Sequence, residues 1–148
     1  MRARTINVLT RQLSYTATLL VLMIFAATTA MAGGPVKVTV DISPELKGQT
    51  TPDQVVFIFA KARRGPRAPL AAVKVHVSDL PFTVKLDDSK AVAPMFRISN
   101  FDEVVISARV SKSGAANKQS GDLEGLSPAV KTDGETKSVH LIINSVVK

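Results

Sequence analysis

Two histidines are the only side chains of this 148-residue chain that ordinarily titrate near neutral pH, where they could act as general bases or ligate a metal. His76 and His140 each stand at an alternate, outward position of a predicted strand, so we interpret them as solvated histidines. A catalytic or metal site also needs convergent partners, and the sequence does not place any. Together with Met95 they leave one alternative open, a carrier that ligates haem iron or another metal.

Other constellations that could do chemistry are missing from the sequence. The chain has no cysteine, which excludes disulfides, thiolate metal sites and thiol nucleophiles. It has no HExxH, GxSxG or P-loop motif, and no credible base for a nucleophile. We therefore predict a protein that is not an enzyme, with no catalytic residue, no cofactor and no metal site.

Three acidic clusters could supply oxygen ligands to calcium, but none has the alternating spacing of a calcium-binding loop. They occupy residues 87–89, 102–103 and 122–124. Each lies where a turn is predicted, and aspartate favours turns because its side chain bonds to the local backbone. We interpret all three clusters as turn residues.

The densest basic cluster places three guanidinium groups within residues 63–67. Arg63, Arg64 and Arg67 could hold carboxylates, haem propionates or lipid headgroups, because the guanidinium fork matches the geometry of acidic oxygens. A solvated loop that its charge keeps soluble is the alternative interpretation. We predict these three arginines as the partner-binding residues.

The elements that must position these residues have the period of β-strands. Apolar and polar residues alternate in five stretches, at residues 36–42, 71–77, 82–86, 104–110 and 139–143. Residues 55–60 are apolar at every position, which indicates a strand in the middle of a sheet, covered on both faces. Residues 91–96 are ambiguous, because Pro94 favours an edge or a loop.

The remaining stretch, residues 111–137, is rich in serine, glycine, lysine and aspartate. It predicts a long loop, with room for a short strand near Ala129 and Val130. No stretch after residue 32 shows the 3.6-residue period of an amphipathic helix. Six or seven short strands predict an all-β fold, an antiparallel two-sheet β-sandwich in a single domain at residues 33–148. A small barrel is the alternative.

Residues 1–32 have the three parts of a secretory signal peptide. Three arginines precede an apolar stretch centred on residues 19–27, and an A-x-A cleavage pattern follows at residues 30–32. The alternative is a retained single membrane anchor, but threonines dilute the apolar stretch, whereas a spanning helix needs about 20 predominantly apolar residues. Removal of the leader lowers the net charge from +7 to +4, which gives little support for a nucleic-acid partner.

Several strings of the sequence, taken in order and at their spacing, match a known family. They are residues 52–53 with 56–62, residues 69–75, residues 78–81 through to 86–89, Met95 with residues 98–99, and residues 101–106, 108–114 and 119–125. From residue 36 to residue 147 the chain resembles the C-terminal periplasmic domain of the cytochrome c maturation (biogenesis) factor of the CcmI/CycH type.

The resemblance implies a non-enzymatic assembly factor. Members of that family are membrane-anchored and hold apocytochrome c with a tetratricopeptide part, for delivery to the machinery that attaches haem. This sequence contains no 34-residue helical repeat, so that part has no counterpart here. We expect a periplasmic accessory module whose partner is apocytochrome c or a haem-ligation subunit, with membrane association through residues 13–32 if the leader is retained. A structural or interaction sandwich in an unrelated envelope complex is the alternative.

Overall fold

A computed structural model describes residues 33–148, and the predicted signal peptide or anchor at residues 1–32 lies outside this part. The described part is mostly β-structure. Its strands are β1 (Val36–Ile42), β2 (Val55–Ala62), β3 (Ala71–His76), β4 (Phe82–Leu86), β5 (Glu103–Ser111), β6 (Leu123–Lys131), β7 (Lys137–Ile143) and β8 (Ser145–Val146). One short helix, α1 (Pro44–Lys47), follows β1, and single turns of 3-10 helix lie at Val77–Asp79, Asp88–Lys90, Pro94–Phe96 and Ile98–Asn100. No helix in residues 33–148 is long and apolar enough to cross a membrane.

The strands form two separate sheets. One sheet has three strands in the order β4-β1-β7, and the other has five in the order β3-β2-β5-β6-β8. The prediction of two sheets is confirmed, with the two-residue β8 added to the expected six or seven strands. The prediction of antiparallel pairing throughout is wrong, because β1 and β7 run parallel, with Val36 opposite Lys137. Local periodicity shows which face of a strand is buried, but not which distant strand completes its ladder.

The two sheets share one hydrophobic core. Alternation along β1 turns Val36, Val38 and Val40 inward, and all three are fully buried. From the other sheet, β2 contributes Ile58, which is also fully buried. Burial of one such side chain stabilises the fold by about 2 kcal/mol. The predicted central position of residues 55–60 is confirmed, since β2 lies between β3 and β5.

The structure forms strand β6 inside residues 111–137, so the prediction of a long loop there is wrong for residues 123–131, although the short strand allowed for near Ala129 and Val130 is part of β6. Its buried positions include Gly125 and Ser127, so the apolar alternation that marks a strand is largely missing. A register shift against β5 forms a β-bulge at Ser127, whose hydroxyl accepts a hydrogen bond from the N–H of Ile106 (2.9 Å). Pro128 follows at this bulge, one of the few places where a sheet tolerates proline.

Three connections meet at one end of this two-sheet unit. They are the β2–β3 loop, the β4–β5 segment and the β6–β7 turn. The N–H of Val92 donates to the C=O of Leu70 (2.9 Å) and joins the first two. The N–H of Thr132 donates to the C=O of Asp102 (3.0 Å) and joins the last two. We call this the arginine end, because its β2–β3 loop carries Arg63, Arg64 and Arg67.

Candidate functional site

A cavity of about 350 Å³ opens at the arginine end. Its walls are Arg63 and Arg64 from the β2–β3 loop, together with residues 100–103 around the start of β5. Arg63 is fixed there twice, because its N–H donates to the C=O of Glu103 and its guanidinium donates to Oε2 of the same residue, both at 3.0 Å. The structure thus brings two of the three predicted arginines to one cavity. Arg67 lies outside its walls and is exposed further along the loop.

The β2–β3 loop turns beside this cavity at Gly65, whose φ of 132° lies in the region that glycine adopts readily and other residues rarely do. Phe101, another wall residue, lies against this turn. A Cβ on residue 65 would be 3.3 Å from a ring carbon of Phe101. The glycine therefore lets the basic loop pack on the aromatic side of the cavity.

Charge in the cavity is mixed. Arg63 and Glu103 form a partly exposed ion pair, and such a pair contributes less than about 1 kcal/mol to stability. Asp102 adds a second carboxyl group to the walls. Within residues 33–148, Arg64 and Arg67 take part in no ion pair.

Two apolar side chains stand exposed on the β4–β5 segment at the same end. The exposed fraction is 48% for Val92 and 70% for Met95. The segment is held in place by Asp88, whose carboxylate accepts hydrogen bonds from the N–H (3.0 Å) and the hydroxyl (2.6 Å) of Ser99. Sequence reasoning considered Met95 as a haem or metal ligand and as part of a family string, but not as an exposed contact residue, and it missed Val92. The one local signal was Pro94, which excludes a central strand there.

The acidic cluster at the start of this segment makes the predicted turn. The carboxylate of Asp87 caps the Asp88–Lys90 turn by accepting hydrogen bonds from the hydroxyl and from the N–H (3.0 Å) of Ser89. The Ser89 hydroxyl, aided by that N–H and by Lys85, holds the pKa of the Asp87 carboxyl below its usual value. Within residues 33–148, no three His, Asp or Glu side chains lie close enough together to hold a metal ion.

The two histidines lie in different sheets. His76 ends β3 and His140 lies in β7, and both side chains are exposed on the faces that point away from the shared core. Nδ1 of His76 is 3.8 Å from the carboxylate of Asp79. His140 borders a shallow depression beside Thr39. The structure therefore does not bring the two histidines together as ligands of one group.

A buried ion pair, which sequence reasoning missed, holds the β5–β6 loop over the outer face of the five-stranded sheet. Alternation along β5 turns Arg109 outward, yet its side chain is only 5% exposed, and that of Asp122 is 0% exposed. Nε of Arg109 lies 3.4 Å from Oδ2 of Asp122, without a hydrogen-bond partner of its own in the described part. The guanidinium also lies over the rings of Phe57 and Phe59, 6.0 and 5.6 Å from their centroids.

The same carboxylate shapes the loop backbone. Oδ1 of Asp122 accepts a hydrogen bond from the N–H of Lys112, and Oδ2 accepts one from the N–H of Gln119, both at 3.0 Å. The guanidinium of Arg109 donates to the C=O of Ala116 in the middle of the loop. In the acidic cluster at residues 122–124, Asp122 therefore ends the loop and the next two residues begin β6. Asp122 is buried.

Comparisons with known proteins agree with this architecture. The family model described as "Cytochrome c-type biogenesis protein H Ig-like domain" matches residues 36–144. The cytochrome c-type biogenesis protein CycH of Pseudomonas aeruginosa is 46% identical over 90 residues, which cover 61% of this chain and 22% of that protein. An uncharacterized protein of Aquifex aeolicus is 28% identical over 111 residues, which cover 75% of this chain and 71% of that protein. No solved structure matches the chain.

The family match begins at the first residue of β1 and ends just after β7, so it takes in every strand except β8, together with the arginine end. The aligned segment spans only about a fifth of the Pseudomonas protein, 22% of its length. The predicted resemblance is confirmed for the CycH type. The chain belongs to the family of Ig-like domains of cytochrome c-type biogenesis protein H.

Proposed function

We propose that this protein is a non-enzymatic accessory module of cytochrome c maturation that works in the periplasm. The observation that carries the proposal is the match of the biogenesis protein H family to residues 36–144. The basic start, apolar stretch and A-x-A pattern of residues 1–32 support export. The arginine end suits binding, since its loop carries exposed guanidinium groups and the adjoining segment carries two exposed apolar side chains.

The proposed partner is apocytochrome c or a subunit of the haem-ligation complex, bound at the arginine end. Arg64 and Arg67 would pair with carboxylates of the partner. Arg63 would bind a partner carboxylate while it keeps its ion pair with Glu103. Val92 and Met95 would be covered in the same contact, because they are exposed on the adjoining segment. Arginine and methionine are both enriched in protein interfaces, which supports this assignment.

Crosslinking of the tagged full chain in its native envelope, followed by mass spectrometry of the captured proteins, tests the proposal. In the variant R63S/R64S/R67S we expect capture of maturation components to fall by roughly tenfold, because each exposed charge contact contributes up to about 1 kcal/mol. The variant K47S/K74S/K112S is the matched control, since it removes the same charge from exposed lysines elsewhere and should capture as well as the unchanged protein. The protein is quantified through the tag, because the chain has no tryptophan and one tyrosine.

The outcomes test two parts of the proposal separately: the role in cytochrome c maturation, and the binding of the partner at the arginine end. Arginine-dependent capture of apocytochrome c or haem-ligation subunits supports both parts of the proposal. Capture that does not depend on the arginines keeps the role but contradicts the interface. Recovery of an unrelated envelope complex without any maturation component contradicts the role. That result would favour an interaction domain with another task, an alternative raised by the 22% coverage of the Pseudomonas protein.

A further inference from the structure

The outer edge of β4 presents backbone groups whose direction follows from the neighbouring ladder. The N–H of Lys137 donates to the C=O of Pro35 (3.1 Å), and the N–H of Ser43 donates to the C=O of Ile143 (2.9 Å). In the parallel ladder these two bonds show that the odd-numbered residues of β1 direct their backbone groups toward β7. The even-numbered residues of β1 therefore direct theirs toward β4.

The register between β1 and β4 shows which backbone groups of β4 point toward β1. Val38 of β1 stands opposite Val84, so the N–H and C=O of Val84 point inward, to β1. The N–H and C=O groups of Thr83 and Lys85 consequently point away from β1, in the plane of the sheet and toward its open edge. Within residues 33–148 these outward groups have no hydrogen-bond partner among the backbone bonds of turns and loops or the side-chain bonds. A strand edge of this kind can pair with another extended chain.

The edge strand of the other sheet, β3, is protected by contrast. At its start, the C=O of Leu70 accepts a hydrogen bond from Val92, and Ala71 forms an isolated bridge with Ala91. At its end, the N–H of His76 donates to the carboxylate of Asp79 (2.8 Å). Chain segments thus occupy both ends of the β3 edge. Among residues 33–148, no such hydrogen bond or bridge occupies the outer edge of β4.

The apolar side of the β4 edge is incompletely covered. Phe82 and Val84 point toward the core but remain half-buried, whereas Val38 and Val40 beside them on β1 are fully buried. An added strand whose apolar residues pointed inward would extend the core and cover these two side chains. This side of the edge therefore fits a strand with an apolar face.

The outer side of the same edge is basic. Lys85 stands directly opposite Lys37, and the two like charges on adjacent strands repel each other. Lys85 reaches Asp87 at 3.7 Å, whereas Lys37 takes part in no ion pair with the described side chains. Acidic residues on the outer face of an added strand would relieve this repulsion.

We propose that the β4 edge binds an extended segment of a partner protein in which apolar and acidic residues alternate. The segment adds a fourth strand to the three-stranded sheet by exchanging backbone hydrogen bonds with Thr83 and Lys85. Its apolar residues cover Phe82 and Val84, and its acidic residues lie beside Lys85 and Lys37. This surface is separate from the cavity at the arginine end, and the inference does not depend on the role in cytochrome c maturation.

A titration of the full chain, labelled for NMR, with a synthetic end-blocked peptide of alternating valine and glutamate tests the proposal. We expect saturable binding that slows amide exchange at Thr83 and Lys85 by roughly tenfold or more, because these N–H groups become hydrogen-bonded. Exchange at Lys74, on β3, should not change. A peptide of the same composition, with its valines and glutamates in separate halves, should not bind.

Matched variants locate the contact. Thr83→Pro removes one outward N–H and leaves the bonds between Val84 and Val38 in place, so it should abolish binding. Thr39→Val is its control, because it removes the same hydroxyl contact with Thr83 (2.9 Å) and leaves the edge intact. Lys85→Glu should weaken binding roughly fivefold, whereas Lys74→Glu should not weaken it. Lys85→Glu decides the result if Thr83→Pro does not fold.

Three results would overturn the proposal. The first is unchanged amide exchange at Thr83 and Lys85 in the presence of the peptide. The second is undiminished binding by a folded Thr83→Pro variant or by Lys85→Glu. The third is protection of both N–H groups in the free chain together with a dimer in sedimentation, which would assign the edge to a second copy of the protein.

Discussion

Replacement of Asp122 by alanine is expected to destabilise the protein more than loss of any exposed ion pair. The substitution leaves the buried guanidinium of Arg109 without its counter-charge and frees the N–H groups of Lys112 and Gln119. Breaking a buried ion pair from one side costs about 3–5 kcal/mol, whereas an exposed pair contributes less than about 1 kcal/mol. For a folded part of this size, the loss corresponds to a melting temperature lower by roughly 10–20 °C.

Urea unfolding followed by circular dichroism measures this effect, because a chain without tryptophan gives little intrinsic fluorescence. Asp122→Asn should lose less, about 2 kcal/mol, since its amide oxygen can still accept one backbone hydrogen bond. Asp133→Ala is the control, because Asp133 is exposed and pairs with Lys137 at 3.0 Å on the surface. Trypsin should also cleave the β5–β6 loop at Lys112 and Lys118 faster in Asp122→Ala.

A loss below about 1 kcal/mol for Asp122→Ala would refute the reasoning. So would strict additivity in a double-mutant cycle with Arg109→Met. If the two side chains act as a unit, the cycle should give a coupling of about 1–2 kcal/mol. Arg109→Met keeps an apolar side chain over Phe57 and Phe59, so the cycle reports mainly on the charge pair.

Two further predictions concern the β6–β7 contact and the Asp87 turn. Gly125→Ala should lower the free energy of unfolding by about 2–3 kcal/mol, because the added Cβ would lie 2.3 Å from the C=O oxygen of Ile142. Gly48→Ala, where nothing lies within 4 Å of the added Cβ, is the control, and equal urea midpoints for the two variants would contradict the packing argument. Ser89→Ala should raise the pKa of Asp87 toward its usual value, and an unchanged carboxyl titration by NMR would contradict this. Because the folded-state pKa is lowered, the stabilisation is complete above the ordinary carboxyl pKa and is lost as the pH falls through the lower value, and Ser89→Ala should reduce that loss.

Strands with one apolar face could be predicted from the sequence, because alternation records burial directly. Residues 36–42 and 82–86 coincide with β1 and β4. The same rule failed for β6, where glycine and serine occupy buried positions. β7 packs closely against Gly125, and the Ser127 hydroxyl accepts a hydrogen bond from Ile106 at the bulge. A small residue that makes room for a neighbouring backbone looks like a loop residue in the sequence.

The candidate site was predictable only in its residue types. The basic cluster identified Arg63 and Arg64, but their cavity with Phe101 depends on a contact between segments some forty residues apart. The same limit applies to Arg109. Its outward position on β5 is evident from alternation, whereas its burial depends on the β5–β6 loop folding back over the sheet.

The parallel pairing of β1 with β7 also sets the order of events when the chain is made. Synthesis delivers β1 first, while β7, the strand that completes its ladder, begins only at Lys137, about a hundred residues later. Until then, every second backbone group of β1 lacks its partner, and the three-stranded sheet cannot close. Contacts between such distant segments slow folding, so the domain reaches its native state only after β7 has been released. During that interval the unpaired edge of β1 can form backbone hydrogen bonds with other unfolded chains and so lead to aggregation.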